Sequence, residues 1–598
     1  MQFVVAALLI LAIHLAIHVP AWTGVALLAD DRFSVGMGAF FAQQGTPWTE
    51  RLGFLLAPPL APGATGGLYR PFSQLLFLLE YPWFGVDAFG YHVVSSLLHC
   101  GTGLIWFVLV RRWTGAPAAA LAAALLFVGW PGHSEATHWI SARINVLAFF
   151  FASCGLLFWD GAIRGAGPRL RRCVTATAFA ILALGSKESG IVFLPFAALV
   201  GALRTPAGAG WVRRAARRAL WLLLPTAATA AWLWLRSRAL QTWGTTSWQI
   251  DPFAPATWLD GMGHWLRLLL APVHGLYGAA WNAPALWLLH GGVVLSALSA
   301  WRRRELRPML AFGLLAVAVM LVATAGLRAA EGTHENIRHS YELALCFALV
   351  LGVGIAHLPA RARGPALAAL VAVHAITFVQ NRECWLRASA VSRRMEQDLH
   401  ARAEAGPIRV FDVPAAYEGG VIYLVDYPAV FLSPPFAPVP QPGTIASTEM
   451  WRRSLRELAA AAAAGHELDN TVTVAWADGE LLPESVSDLW PARPWPDSDV
   501  SICYARVGRR RPTIPGPVPV QLLVSSKGPL QIEARLLGPR EVRVASEFAG
   551  APQPRPLALD LELPGDLDPS AEHHIELTVR RGGEVRAFDL GAVRVVPR

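Results

Sequence analysis

Asp30 and Asp31 close the first apolar run of the chain, at the point where it would leave a bilayer. Two adjacent carboxylates repel, so one holds its proton more tightly unless a cation or a metal intervenes. Either can act as general base towards a hydroxyl group. The competing reading is an ordinary polar helix end. A second candidate is Lys187. The chain has only two lysines among its 51 basic residues, and Lys187 stands between two apolar runs in Gly185-Ser186-Lys187-Glu188-Ser189. Ionisable groups at membrane depth are costly and mark a pathway or a site, unless Lys187 and Glu188 merely cap two short helices as a pair.

Two further stretches carry the same chemistry. Pro131 to Arg143 contains His133, Glu135, His138 and Arg143 in a short turn. His133 and His138 are five residues apart, so they miss the one-turn spacing of a zinc pair on a helix. A polar pocket floor fits better, with Arg143 gripping a phosphate by two prongs and Lys187 as a point charge. The alternative is a solvated turn anchored by Trp139. The stretch Glu331 to Tyr341 holds His334, Glu335, Arg338 and His339 just before another apolar run. Arg338 there favours an anionic ligand or an ion pair with Glu335 or Glu342.

Long apolar elements must position these groups. The chain is 598 residues long and 54% hydrophobic, with a mean hydropathy of +0.40, which places most of it in a bilayer. The expected spans are 3-28, 91-110, 115-130, 144-160, 173-186, 189-203, 219-235, 285-301, 308-327, 340-358 and 364-380. Alternate loops carry the arginines: Arg111 and Arg112; Arg164 to Arg172; Arg204 to Arg218; Arg302 to Arg307; Arg361 and Arg363. The positive-inside rule makes those loops cytoplasmic. The N-terminus is then cytoplasmic, and the loops 29-90, 131-143, 187-188, 236-284 and 328-339 lie outside with the tail. The interrupted segment 258-275 is expected to lie in the interface. The net charge of +9 sits in those loops, so it speaks for membrane orientation and against a nucleic-acid partner.

After residue 380 the pattern changes. Ile408-Val413 and Val421-Leu424 read as strands, Trp451-Ala464 as a helix, and Val520-Val524, Leu530-Leu536 and His574-Val579 as strands of a β-sandwich. The expected division is a transmembrane domain over 1-380, with 29-90 as its first outer loop, a mixed α/β region over 381-511 and a β-sandwich-like domain over 512-598. Cys384 and Cys503 could bridge if the tail is exported.

Read in order, the polar motifs resemble membrane glycosyltransferases of the GT-C fold, especially the protein O-mannosyltransferase-like group with tetratricopeptide-bearing members. The resemblance runs through Asp30-Asp31, Tyr69-Arg70-Pro71-Phe72, Phe84-Gly85, Gly90-Tyr91-His92 and Leu97-Leu98-His99. It continues in Trp130-Pro131-Gly132-His133-Ser134-Glu135, Trp139-Ile140-Ser141-Ala142-Arg143, Ser186-Lys187-Glu188 and Glu335 to Tyr341. It implies a polytopic α-helical membrane protein of about 11 spans with a C-terminal extracytoplasmic α/β and β-sandwich-like region. It implies transfer of a sugar from a polyprenyl-phosphate donor to an acceptor hydroxyl of a protein, glycan or lipid on the outer face, with inversion. Asp30 or Asp31 would be the base, with Arg143, Lys187 and Arg338 on the donor phosphate. Arg70, His133, Glu135, His138, Glu188 and His339 would line the pocket. No cofactor is required by this reading, and a divalent metal is left open.

The chain departs from the group at Trp130, Asn145 and His339, and its tail carries no tetratricopeptide repeat. The arginine-rich composition suggests a bacterial cytoplasmic (inner) membrane, with the tail in the periplasm or outside the cell. Two other classes remain in view. A transporter or flippase of lipid-linked saccharide should show inverted repeats and broken helices at the midplane, which the sequence lacks. The other class is a membrane anchor for an exported binding tail; deleting 400-598 separates it, since transfer to a small acceptor should survive if the membrane part is the enzyme.

Overall fold

The structure, a computed structural model, describes residues 2-56 apart from 29, 69-204, 218-240, 255-272, 282-327 and 336-403. It also describes strand segments between 408 and 507, nearly all of 513-597 and a few isolated positions. The chain divides into two compact units, one of Met1-Ala390 with Ala416-Val421, the other of Val391-Ala415 with Ile422-Arg598.

The first unit is helical. Its first ten helices are α1 Gln2-Gly24, α2 Asp31-Gln43, α3 Trp48-Leu56, α4 Pro71-Phe84, α5 Ala88-Thr114, α6 Pro117-Val128, α7 Ser134-His138, α8 Ile144-Ile163, α9 Arg169-Ser186 and α10 Phe193-Leu203. Further helices cover Leu223-Leu240, Pro255-Leu270, Asn282-Ser299, Arg307-Thr324, Tyr341-His357 and Ala360-Ala403. Among the described residues, seven helical stretches are long and apolar enough to cross a membrane, and Pro117-Val128 and Glu188-Ala202 are shorter apolar helices. The expected spans at 173-186 and 219-235 are also helical. The segment expected at the interface forms Pro255-Leu270, whose Trp265 indole donates to the carbonyls of Thr324 and Leu327.

The starts and stops follow local chemistry. Asp87 caps α5 by accepting the Phe89 N–H at 3.0 Å. Gly115 ends that helix with φ +65°, a left-handed conformation that favours glycine, and Pro117 then opens α6. At the centre lies Tyr341-His357, buried at every position from Tyr341 to Ala356. Small residues let its backbone approach its neighbours. A Cβ on Gly352 would come within 2.6 Å of the Ala119 carbonyl oxygen, and one on Gly354 within 2.2 Å of Val293's. Outward-facing side chains such as Leu288 and Leu295 stay exposed, as lipid contact requires.

The last helix ties the first unit together. Arg382 donates to the Ile17 carbonyl, Asn381 to that of Pro131, and the Ser389 hydroxyl accepts the Ala26 N–H. Cys384 lies buried in this helix with its Sγ 3.7 Å from the Gln380 carbonyl, and the side chain of Cys503, its expected partner, lies outside the described residues.

The second unit holds the strands. Gly516-Ser526 pairs antiparallel with Ala551-Leu563 and Val500-Val507. Leu530-Leu537 pairs antiparallel with Val542-Phe548 and His573-Arg581, which continues to Glu584-Val593. Val518, Val520, Leu522 and Val524 of one sheet share a core with Ile532, Ala534, Leu536, Ile575, Leu577 and Val579 of the other. That two-sheet core is the expected sandwich. Ile408-Val413 runs parallel to Gly443-Ser447 and to Val472-Ala477, which pairs antiparallel with Glu480-Glu484. The expected helix Trp451-Ala464 and residues 422-424 lie outside the described residues.

Candidate active site

The acidic pair sits where α1 gives way to α2. Asp31 opens α2 and is fully buried; its Oδ2 accepts the Leu28 N–H at 2.9 Å and its Oδ1 the Ser141 N–H at 2.5 Å. Both oxygens are therefore occupied by backbone, and Asp31 locks the end of α1 to the loop that carries Arg143. Asp30 is only half-buried, yet its Oδ1 is enclosed without a hydrogen-bond partner among the described residues. Burial pushes the Asp30 carboxyl up to about 6, against the pull of Arg338, the neighbouring Ser141 side chain, the Asp30 backbone N–H and Arg70. Burial, with Asp30 as an added repulsion, pushes Asp31 up to about 7.

Two arginines that act on this pair are each held by a carboxylate. Arg70, just before α4, donates from Nε and Nη2 to Glu188 Oε2 at 3.2 and 2.9 Å. Glu188 also faces Arg236, 3.8 Å away. Arg338 bonds Glu135 through its guanidinium, and its backbone N–H donates to Glu135 Oε2 at 2.6 Å. Its guanidinium also lies over the Trp139 ring, 4.9 Å from the centroid. Glu135 additionally accepts the N–H of Asn336, which stands at φ +70°. Among the described residues the partner of Arg338 is thus Glu135, and no pair with Glu342 is formed. Glu335 and His334 lie outside the described residues. Burial raises the Glu135 carboxyl, and Arg338 and two backbone N–H groups oppose that rise. Asn145, one of the positions where the chain departs from the group it resembles, donates to the Arg338 carbonyl at 2.8 Å.

Lys187 is 5% exposed, and its Nζ lies 3.2 Å from His339 Nδ1. Arg70, Arg338, Glu188 and Glu342 all act on its charge, and Arg70 and Arg338 also act on that of Asp30, so the two arginines link Lys187, His339 and Glu188 to Asp30 in one polar basin. Lys187 extends from the end of α9 into the turn Glu188-Val192, where Gly190 crosses the helix closely. A Cβ there would come within 2.4 Å of the Ala183 backbone. Ser189 donates to Glu342 at 2.8 Å and ties this turn to the central helix.

Three of the expected residues go elsewhere. Arg143 is buried and forms a two-pronged pair with Glu80 of α4, with its guanidinium 4.1 Å from the Phe77 ring centroid. The Arg70 and Arg338 side chains keep 19% and 18% exposure in their ion pairs, whereas that of Arg143 keeps 1%, so Glu80 closes it off from the phosphate contact that the sequence suggested. His133 packs among Tyr341, Phe127 and His99, with centroids 4.5, 4.9 and 5.1 Å away. His138 lies against His18 and Phe378. Both histidines are buried in the interior and do not join the basin of Asp30, Arg70, Lys187, Glu188, Arg338 and His339. Sequence reasoning missed Glu80; the available signal was a lone carboxylate inside an otherwise apolar helix.

A buried carboxylate that retains an unfilled acceptor position beside several cations can take a proton while the cations stabilise a departing anion. No protein-family model matches the chain. Over 200 residues it is 30% identical to Protein O-mannosyl-transferase Tmtc2 of Drosophila melanogaster, which is 31% of this chain and 20% of that protein. It is 36% identical over 89 residues to tmtc2 of Xenopus laevis, covering 15% of this chain and 11% of that one. It is 31% identical over 145 residues to human TMTC4, covering 21% and 20%. The chain therefore spans a fifth or less of the length of these relatives. Among solved structures, ArnT from Cupriavidus metallidurans in the apo state aligns with a TM-score of 0.48 at 13% identity, covering 78% of this chain and 92% of that one. The oligosaccharyltransferase AglB from Archaeoglobus fulgidus aligns at 0.43 and 11% identity, covering 100% and 98%. These proteins are GT-C-fold glycosyltransferases, the group that the ordered motifs resemble.

Proposed function

We propose that this chain is a glycosyltransferase that moves a sugar from a polyprenyl-phosphate carrier to an acceptor hydroxyl at the outer face of the membrane. The observation that carries the reading is Asp30, whose enclosed Oδ1 has no hydrogen-bond partner among the described residues while Arg338, the Ser141 side chain and Arg70 act on its charge. The curated relatives named as protein O-mannosyltransferases support it over their matched segments. In this reading Asp30 takes the proton of the acceptor hydroxyl, and the oxygen attacks the anomeric carbon. The bond from that carbon to the carrier phosphate breaks, its electron pair leaves with the phosphate, and the configuration inverts.

Lys187, with Arg338 and Arg70, stabilises the phosphate as its charge grows. Asp31 positions the pair by bonding Leu28 and Ser141 N–H groups. Arg143 acts through Glu80, which holds α4 against the Ile140-Arg143 turn. A protein hydroxyl is the acceptor that the relatives' names suggest.

The test is incubation of the full chain, purified in detergent, with polyprenyl-phosphate mannose and a hydroxyl acceptor, following free polyprenyl phosphate by mass spectrometry. The expected result is carrier release with glycosylated acceptor, and a loss of at least about 100-fold in Asp30→Asn at unchanged protein yield. Normal turnover in Asp30→Asn with loss in Asp31→Asn would move the base to Asp31. Normal turnover in both would remove the general-base assignment.

A further inference from the structure

Outside the basin, the interior of the first unit holds a group of imidazoles that the proposed reaction does not use. His14 and His18 stand one turn apart on α1, and His99 faces them from α5. All three are buried, at 0%, 1% and 0% exposure. Their ring centroids are 4.4 Å apart for His14 and His18, 5.4 Å for His18 and His99, and 5.8 Å for His14 and His99. One nitrogen from each ring lies within 4.8 Å of the others. We propose that His14, His18 and His99 form a transition-metal site, binding zinc or copper through three imidazole nitrogens.

The hydrogen bonds around the rings fit ligation better than simple packing. A metal-bound histidine commonly gives its second nitrogen to an acceptor, which fixes the ring and its tautomer. His14 Nε2 is 2.6 Å from the Ser96 hydroxyl, and His99 Nε2 is 3.2 Å from the Val128 carbonyl. An N–H at each of those positions leaves the lone pair on Nδ1 of both rings. His14 Nδ1 and His18 Nε2 are buried with no hydrogen-bond partner among the described residues. His99 Nδ1 accepts the Tyr341 O–H at 2.7 Å, a hydrogen bond that the ion displaces when it binds.

In a tetrahedral shell with bonds of about 2.1 Å, neighbouring nitrogens are about 3.4 Å apart. The ligand atoms, now within 4.8 Å of one another, close to that value when the rings tilt inward around the ion. One-turn spacing on a helix plus a third ligand from another element is an arrangement that suits zinc. Three neutral imidazoles leave the ion its full charge, and the desolvation cost grows with the square of charge, which favours copper(I) in this apolar setting. Both ions share the imidazole chemistry, and the experiment separates them. The structural consequence is the same for either: α1 is pinned to α5 beneath the loop that carries Glu135.

The test uses the full chain in detergent, dialysed against metal-free buffer, with bound metal measured by plasma mass spectrometry. Zinc chloride, or copper(I) kept reduced by ascorbate, is then titrated in. The expected result is about one ion per chain, with at least about tenfold weaker binding in His18→Gln. Ser96→Ala keeps all three ligands and loosens only His14; the expected loss is again about tenfold, without loss of the folded protein. Cobalt(II) taken up at the site should show the visible absorption of a tetrahedral centre in wild type and not in His18→Gln. Failure of wild type to bind either ion overturns the proposal. So does equal binding in wild type, Ser96→Ala and His18→Gln, which would place the ion elsewhere. Glycosyl transfer is not the readout, so the outcome is independent of the function proposed for Asp30.

Discussion

At Asp30 and Asp31 the physics of burial and the needs of catalysis meet. A carboxyl raised to about 6 or about 7 keeps its proton far longer than an exposed one. Below that window the base is occupied, so transfer should be slow; above it the pair ionises and the base is competent. The rate of carrier release should therefore rise as pH increases through about 6 to 7 and then level off, which a pH profile of single-turnover transfer would reveal. The sign for stability is opposite. The folded state binds these protons more tightly than the unfolded chain, so their stabilising contribution is complete below the ordinary carboxylate range and is lost as pH rises to about 7. Ionisation for function thus weakens the fold locally. A rate that is flat from pH 5 to 8 would mean that neither aspartate titrates in the transfer step.

The elements around the basin are joined by ion pairs between residues far apart in the chain, and this is where sequence reading stops. Asp30-Asp31, Lys187 and Arg338 were legible because each is a charge set beside an apolar run. The partners were not: Glu80 meets Arg143 across 63 positions and Glu135 meets Arg338 across 203. No local spacing rule reports on such contacts. The grouping of His14 and His18 with His99 escaped for a related reason: His99 stood in the motif Leu97-Leu98-His99, but the other two sit inside a span that hydropathy alone had already explained. The spans and the later strands were legible because their periodicity is local. The Arg143-Glu80 pair distinguishes a positioning role from phosphate binding. Arg143→Met leaves a buried carboxylate unpaired and should cost about 3–5 kcal/mol of stability. Adding Glu80→Leu removes the unpaired charge and should recover most of the loss in detergent thermal unfolding. A direct phosphate ligand would instead raise the KM for carrier in Arg143→Met with little change in unfolding temperature, and Glu80→Leu would not help.

On the scale of the whole molecule, the reaction requires all the basin residues on one side of the membrane, and the arginines provide an independent marker of sides. Asp160, at the far end of α8 from Arg143, is buried among Arg112, Arg164 and Arg204 at 3.8–3.9 Å. A 20-residue helix is about 30 Å long, the thickness of a bilayer core, so α8 alone separates the two polar clusters by one membrane. The cluster at Asp160 belongs to the arginine-rich loops and should face the cytoplasm, which puts Arg143 and the acidic pair outside. Two exposed positions report on this directly: Gln44 after α2, and Ala166 between α8 and α9. In a background with the native cysteines replaced, a membrane-impermeant maleimide should label Gln44→Cys in intact cells and Ala166→Cys only after the cells are opened. The reverse pattern would turn the basin to the cytoplasm, where the outer-face donor in the proposed reaction could not reach Asp30.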